Sequence, residues 1–180
     1  MPDPFIAPQD IVDYLGRGTA TDPGMVIAAD AACDICRTVA ERSFNAGTST
    51  VTLDGSGTDT LLLPDLPVST AGTVLVNGGT VTDYMLNGNG MLFRGTAGVD
   101  PRPVWPMGRQ NVRVTYEHGY QTADLPRDVR MVALSIASRL VVQGVALEES
   151  IGPVRMKYAA AATDLTNGEA RILGKYRQMR

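Results

Sequence analysis

From residue 48 to residue 117 the apolar residues of this chain alternate with polar ones, whereas on both sides of that stretch they recur at every third or fourth position. A period of two suits a strand with one covered face. A period near 3.6 suits a helix with one covered stripe. The chain must therefore run from helices into strands and back into a helix. Strands and helices do not alternate one for one, which argues against a doubly wound parallel sheet and leaves the α+β class.

Each patterned run carries its own start and stop signals. Pro8-Gln9-Asp10 followed by Ile11, Val12, Tyr14 and Leu15 predicts a short helix that stops at Gly16. Thr21-Asp22-Pro23 opens a longer one, a capping residue followed by a proline whose missing N–H costs nothing there, and it should run to about Arg42. Val26, Ala29, Cys33, Cys36 and Ala40 fall on one line of that helix, with Ile27, Ala31, Ile35 and Val39 flanking it. So broad and Ala-rich a stripe suits close packing against other helices.

The alternating region divides at its turn residues. Residues 48–53, 60–63, 73–76, 80–86, 91–94 and 111–116 read as strands. Asp54-Gly55-Ser56-Gly57, Pro64-Asp65-Leu66-Pro67, Asn77-Gly78-Gly79 and Asn87-Gly88-Asn89-Gly90 separate them. Val112, Val114 and Tyr116 share one strand face, Gly119 permits a sharp corner, and Pro126 opens a helix whose apolar positions recur from Val129 to Val141. Ile151, Val154, Met156 and Tyr158 suggest an extended arm interrupted by Gly152-Pro153. Thr166-Asn167-Gly168-Glu169 is a capping box opening a last short helix with Ile172, Leu173 and Tyr176.

The expected fold is α+β: a helical bundle made of the N-terminal helices and the long helix 126–143, an inserted antiparallel β-sheet or partial barrel, and a C-terminal arm with a short helix. With 180 residues a chain buries about 70% of its unfolded surface, enough for one domain. We divide 1–180 into N-terminal helices (1–46), the β region (47–118), the core helix (119–146) and the arm (147–180).

Charge narrows the function classes. Sixteen Lys+Arg stand against 19 Asp+Glu, so the chain lacks the positive balance that draws a protein onto phosphate backbones unaided. Its start has no basic segment leading into an apolar run, and no stretch approaches the roughly 18 apolar residues that span a bilayer, so a soluble, non-secreted protein is expected. The tail is different. From Arg155 to Arg180 there are six basic residues and two acidic ones, a local +4 in a chain of −3, which leaves −7 on residues 1–154. A short helix with three large apolar groups on such a tail needs something to pack on, and a larger platform outside the chain is the expected partner.

No constellation reads as an active site or cofactor site. Cys33-Asp-Ile-Cys36 lies in mid-helix, where the dipole does not lower a thiol pKa, and a zinc site would need two further ligands besides the lone His118. Packing cysteines are the expectation. His118, between Glu117 and Gly119, reads as a surface-turn histidine with no catalytic partner. Gly55-x-Gly57 and Gly88-x-Gly90 sit in hairpin turns and do not open helices, so they are not phosphate loops. Trp105 with Arg102 and Arg109 nearby could stack a base or sugar, but closing the end of the sheet is the simpler role.

"DIVDYLGR" (10–17), the Pro-opened helix ending in "AERSF" (40–44), "VRVTYEHGY" (112–120) running into "LPRDVRMVALSIASRLV" (125–141), and "LTNGEARILGKYR" (165–177) together resemble the head-to-tail connector, or adaptor, proteins of tailed bacteriophages. The resemblance spans about half the chain. The sheet region is longer here than in the compact, nearly all-helical members, and Asn167 stands where related tails often have proline. The resemblance implies a non-enzymatic virion protein, without cofactors, assembled in the bacterial host cytoplasm. It implies a ring, usually of twelve copies, docked beneath the portal, bound on its other side to a tail-side completion protein and extending the channel through which DNA passes. Carried onto this sequence, the portal-docking residues would be Arg171, Ile172, Leu173, Lys175, Tyr176 and Arg177. Two other readings compete: a tail-completion or tail-terminator ring, and a small carbohydrate- or protein-binding β module using Trp105 and Tyr84.

Overall fold

A computed structural model describes residues 3–87, 89–98, 101–143, 148–151, 154–157 and 163–177. The chain divides into two compact units. One combines residues 1–44 with 122–180 and holds the helices; the other is 45–121 and holds the strands of the alternating region.

The helical unit contains α1 (Pro8–Leu15), α2 (Pro23–Ala40), α3 (Arg127–Gln143) and α4 (Asn167–Gly174). The expected punctuation is where the sequence put it. Gly16 caps α1 at φ 65°, the left-handed conformation that favours glycine. The Asp22 carboxylate accepts from the Gly24 N–H at 2.9 Å to open α2. Helix α2 buries Met25, Ala28, Ala29, Ala32, Cys33, Cys36 and Ala40. Four residues of the expected line, Ala29, Cys33, Cys36 and Ala40, are thus covered, whereas its first member Val26 and the flanking Ile27 are 42% and 67% exposed. Val129, Val132, Ala133, Ile136 and Ala137 of α3 are buried in the same unit, as are Phe5, Ile6 and Ile11 near the N-terminus.

The β unit is two antiparallel sheets, with no closed barrel among the described residues. Strands β1 (Gly47–Gly55), β3 (Val68–Val76), β4 (Gly79–Val81) and β7 (Gly108–His118) form one, in the order β1-β7-β3-β4. Strands β2 (Thr60–Leu62), β5 (Tyr84–Leu86) and β6 (Met91–Arg94) form the other, in the order β2-β6-β5. The expected strand 80–86 is thus two strands, β4 in one sheet and β5 in the other. Both sheets contribute to one core: Leu61, Leu63 and Leu92 pack with Val74, Val112, Val114, Tyr116 and Trp105. The outward face of the four-stranded sheet carries Thr48, Thr50 and Thr52 on β1 opposite Glu117, Thr115 and Arg113 on β7.

At the corner after β7, Gly119 has φ 83°, and a Cβ there would lie 2.0 Å from the Asn45 carbonyl oxygen, so no other residue fits. Asn45 and Tyr120 bridge the strand leading into the unit and the strand leaving it, with the Ala46 N–H donating to the Tyr120 carbonyl at 2.8 Å. The segment expected as one extended arm contains two short strands, β8 (Glu148–Ile151) and β9 (Val154–Lys157), paired antiparallel. The Gly152-Pro153 interruption and Tyr158 lie outside the described residues.

Candidate functional site

The six residues singled out on the tail fall on α4 and the turn that follows it. Thr166 and Glu169 close the expected capping box: the Thr166 hydroxyl accepts from the Glu169 N–H at 3.3 Å, and Glu169 Oε2 accepts from the Thr166 N–H at 2.9 Å. Glu169 also reaches inward. Arg139 of α3 donates to it through both terminal nitrogens, at 2.7 and 3.1 Å, a bidentate pair at a carboxylate only 7% exposed. Burial by itself raises the Glu169 pKa, but the Arg139 guanidinium, the Thr166 N–H and the Ser135 hydroxyl outweigh it and hold the carboxyl down at about 2. Arg139 further donates to the Asp164 carbonyl at 2.9 Å, fixing the approach to α4.

The rest of α4 is anchored the same way. Leu173 is fully buried. The Tyr176 hydroxyl donates to Asp128 at 2.8 Å, its ring meets Phe44 edge-on at 6.0 Å, and Arg177 forms an ion pair with Glu41. Part of the burial expected on an external platform is thus supplied by the chain's own helical unit, which covers Leu173 and packs against the Tyr176 ring. Arg171 and Lys175 remain exposed, and Ile172 is half-buried. The structure thus splits the six residues into an inward set (Leu173, Tyr176, with Arg177 held by Glu41) and an outward set (Arg171, Lys175, with Ile172 between).

His118 is not the surface residue the turn suggested: it is 9% exposed. It continues the inward parity of Val112, Val114 and Tyr116, so the alternation that predicted the strand already contained this result. Its Nε2 lies 2.9 Å from Ser49 Oγ and 3.8 Å from Asp65 Oδ2, while Nδ1 is buried without a partner among the described residues. A Ser, a His and an Asp together invite a hydrolytic reading, and the geometry refuses it. Serine and aspartate approach the same ring nitrogen, so no carboxylate steadies the imidazole from the opposite side. Asp65 instead accepts from the Tyr116 hydroxyl at 2.7 Å, and burial raises the Tyr116 pKa.

Cys33 and Cys36 are both buried free thiols. Burial raises both, Cys36 to about 12, the opposite of what a reactive dithiol needs. Trp105 is fully buried with its indole N–H donating to the Leu92 carbonyl at 3.1 Å, and the Arg94 guanidinium lies over its ring at 5.4 Å. The Tyr84 hydroxyl donates to the carbonyls of Ala71 and Gly72. Neither ring is presented to a sugar or a peptide. Among the described residues no group of three His, Cys, Asp or Glu side chains could hold a metal ion, and no helix is long and apolar enough to cross a membrane.

No family model and no curated protein matches this sequence. Solved structures do. A chain in the neck of an empty GTA particle, computed with C6 symmetry, superposes with TM-score 0.64 at 16% identity, covering 97% of this chain and 90% of that one. A chain in the neck of a native GTA particle, computed with C12 symmetry, gives 0.62 at 16% identity, over 96% and 88%. A chain in the virion of a native gene transfer agent particle gives 0.59 at 16% identity, over 100% and 93%. Helices, both sheets and tail together therefore make up a fold shared, nearly end to end, with chains of the neck of gene transfer agent particles.

Proposed function

We propose that this protein is a structural subunit of the neck of a phage-like particle, a head-to-tail connector that forms a ring with its own copies beneath the portal and extends the DNA channel. The observation that carries the reading is the fold likeness to neck chains over nearly the whole length of both partners, in necks computed with C12 and C6 symmetry. The sequence blocks that resemble connector proteins point the same way. Charge is compatible: a channel that must release DNA is better served by a chain of net −3 than by a basic one, since each neutralised phosphate adds affinity.

In this reading α4 is a docking element whose inner side is already spoken for. Leu173, Tyr176 and Arg177 hold the helix on its own body, and Arg171 and Lys175, flanking Ile172, face the portal. The test is co-purification with the portal of wild type and of Arg171→Glu/Lys175→Glu, two exposed positions whose reversal leaves the packed side of α4 untouched. Binding should weaken at least about tenfold. Undiminished portal binding contradicts the assignment of α4. A chain that instead co-purifies with the tail tube and ignores the portal is a tail-completion ring, the neighbouring reading with the same fold-level support.

A further inference from the structure

Two patches of this chain lack a partner within their own fold, and they are unlike each other. The first is on α2. Ile27 and Val26 are 67% and 42% exposed, although the opposite side of the same helix is covered. Ile27, Asp30, Ala31 and Asp34 recur at helical spacing and form one stripe. Arg37 neutralises Asp34 at 2.7 Å, whereas Asp30 is exposed and has no hydrogen bond or ion pair among the described residues. The stripe is therefore apolar with one uncompensated negative charge.

The second patch is on the β unit. A concavity of about 460 Å³ opens between the β3–β4 turn and the start of β7, with Leu75, Asn77, Arg109, Gln110 and Arg113 around it. Arg109 and Arg113 are exposed, and neither has a carboxylate partner among the described residues. The nearby Asp54 carboxylate is engaged by the Gln110 N–H at 2.6 Å, and the Asn111 amide is committed to the Gly55 N–H and the Pro106 carbonyl. What remains is two open guanidinium forks beside the half-buried, apolar Leu75.

We infer that these patches are the two halves of one interface: the α2 stripe of one copy seats on the sheet face of the next, with Asp30 received by Arg109 and Arg113 and Ile27 laid against Leu75. Both components match, charge to opposite charge and apolar to apolar. A guanidinium fork fits a carboxylate bidentately, and two of them on a chain of net −3 supply too few phosphate contacts for a nucleic-acid site. The pairing rests on the ring reading and deepens it. A closed ring needs two different faces per copy, front on back, whereas a twofold dimer pairs a patch with itself.

Exposed positions make the test clean. Full-length Asp30→Arg and full-length Arg109→Glu/Arg113→Glu are compared with wild type by sedimentation velocity and negative-stain imaging, with thermal melting to verify that each is folded. Wild type should form closed rings, and each variant alone should associate at least about tenfold more weakly. An equimolar mixture of the two variants should regain rings, because every junction then carries either the native or the swapped charge pair. Wild-type rings with variants that assemble equally well overturn this interface and leave the ring reading standing, as does a mixture that fails to recover. A wild type that stays monomeric at every concentration, or stops at twofold dimers, both alone and with the portal present, overturns the ring reading and this pairing with it.

Discussion

The covered line of helix α2 and the core of the β unit are filled by residues of different size, although the helical unit also buries Phe44, Ile11 and Ile136. In the helical unit the deepest positions of α2 are small, Ala28, Ala29, Ala32, Cys33, Cys36 and Ala40, which lets backbones approach, and polar partners such as Arg139 with Glu169 and Tyr176 with Asp128 hold the pieces in place. In the β unit the deepest positions are large, Trp105 and Tyr116 among branched aliphatics, and the strands are held by main-chain pairing. The two should therefore respond to different injuries, the β unit to lost volume and the helical unit to lost charge partners.

The largest effect expected is from Trp105→Ala. It removes a fully buried indole at the centre of the sheet core and should cost about 4 kcal/mol. Hydrogen exchange should show protection lost across 45–121 while α2 and α3 keep theirs. Equal loss in both units would erase the distinction drawn above.

Next is Arg139→Met, which leaves the Glu169 carboxylate buried without its cation, at a cost of about 3 kcal/mol confined to the helical unit. The same pair sets a pH dependence. Because the folded-state pKa of Glu169 is depressed from about 4.5 to about 2, its contribution is fully present above pH 4.5 and is lost as the pH falls toward 2. Melting curves from neutral pH to about pH 2 should show this loss in wild type and a flatter profile in the Arg139 variant. Parallel profiles would remove the pair from the account.

The smallest effect is Thr166→Ala, about 1 kcal/mol, because it removes one capping acceptor from a helix held mainly by tertiary contacts. Exchange should quicken in the first turn of α4 and hardly at Leu173. Release of the whole helix would mean that the cap, and not Leu173 and Tyr176, is what keeps it in place.

What the sequence disclosed follows the range of the interactions. The helix starts and the Gly16 stop are set by neighbours within four residues, and they stand where the pattern put them. The capping box at Thr166 and Glu169 was legible for the same reason. Its other partner, Arg139, sits 30 residues away on another helix, and no local period points to it. The split of 80–86 between two sheets depends on strand pairing, which alternation does not encode. The burial of His118 was present in the parity of β7 and was masked by the Gly119 corner beside it. On α4 the spacing of Ile172, Leu173 and Tyr176 announced an apolar side but not what covers it, because a helix that folds home and one that docks abroad carry the same stripe.

The bridge between Asn45 and Tyr120 has a consequence for how such chains can change. Backbone leaves the helical unit at residue 44 and comes back at 122 through two segments a single hydrogen bond apart, so everything between is one insertion into the sequence of that unit. Lengthening or trimming such an insertion costs its host little, since doubling a loop adds only about 0.6 kcal/mol of closure entropy. Kindred chains should then differ most in the size of this insert, and a short turn grafted from 44 to 122 should leave a helical remnant that still folds.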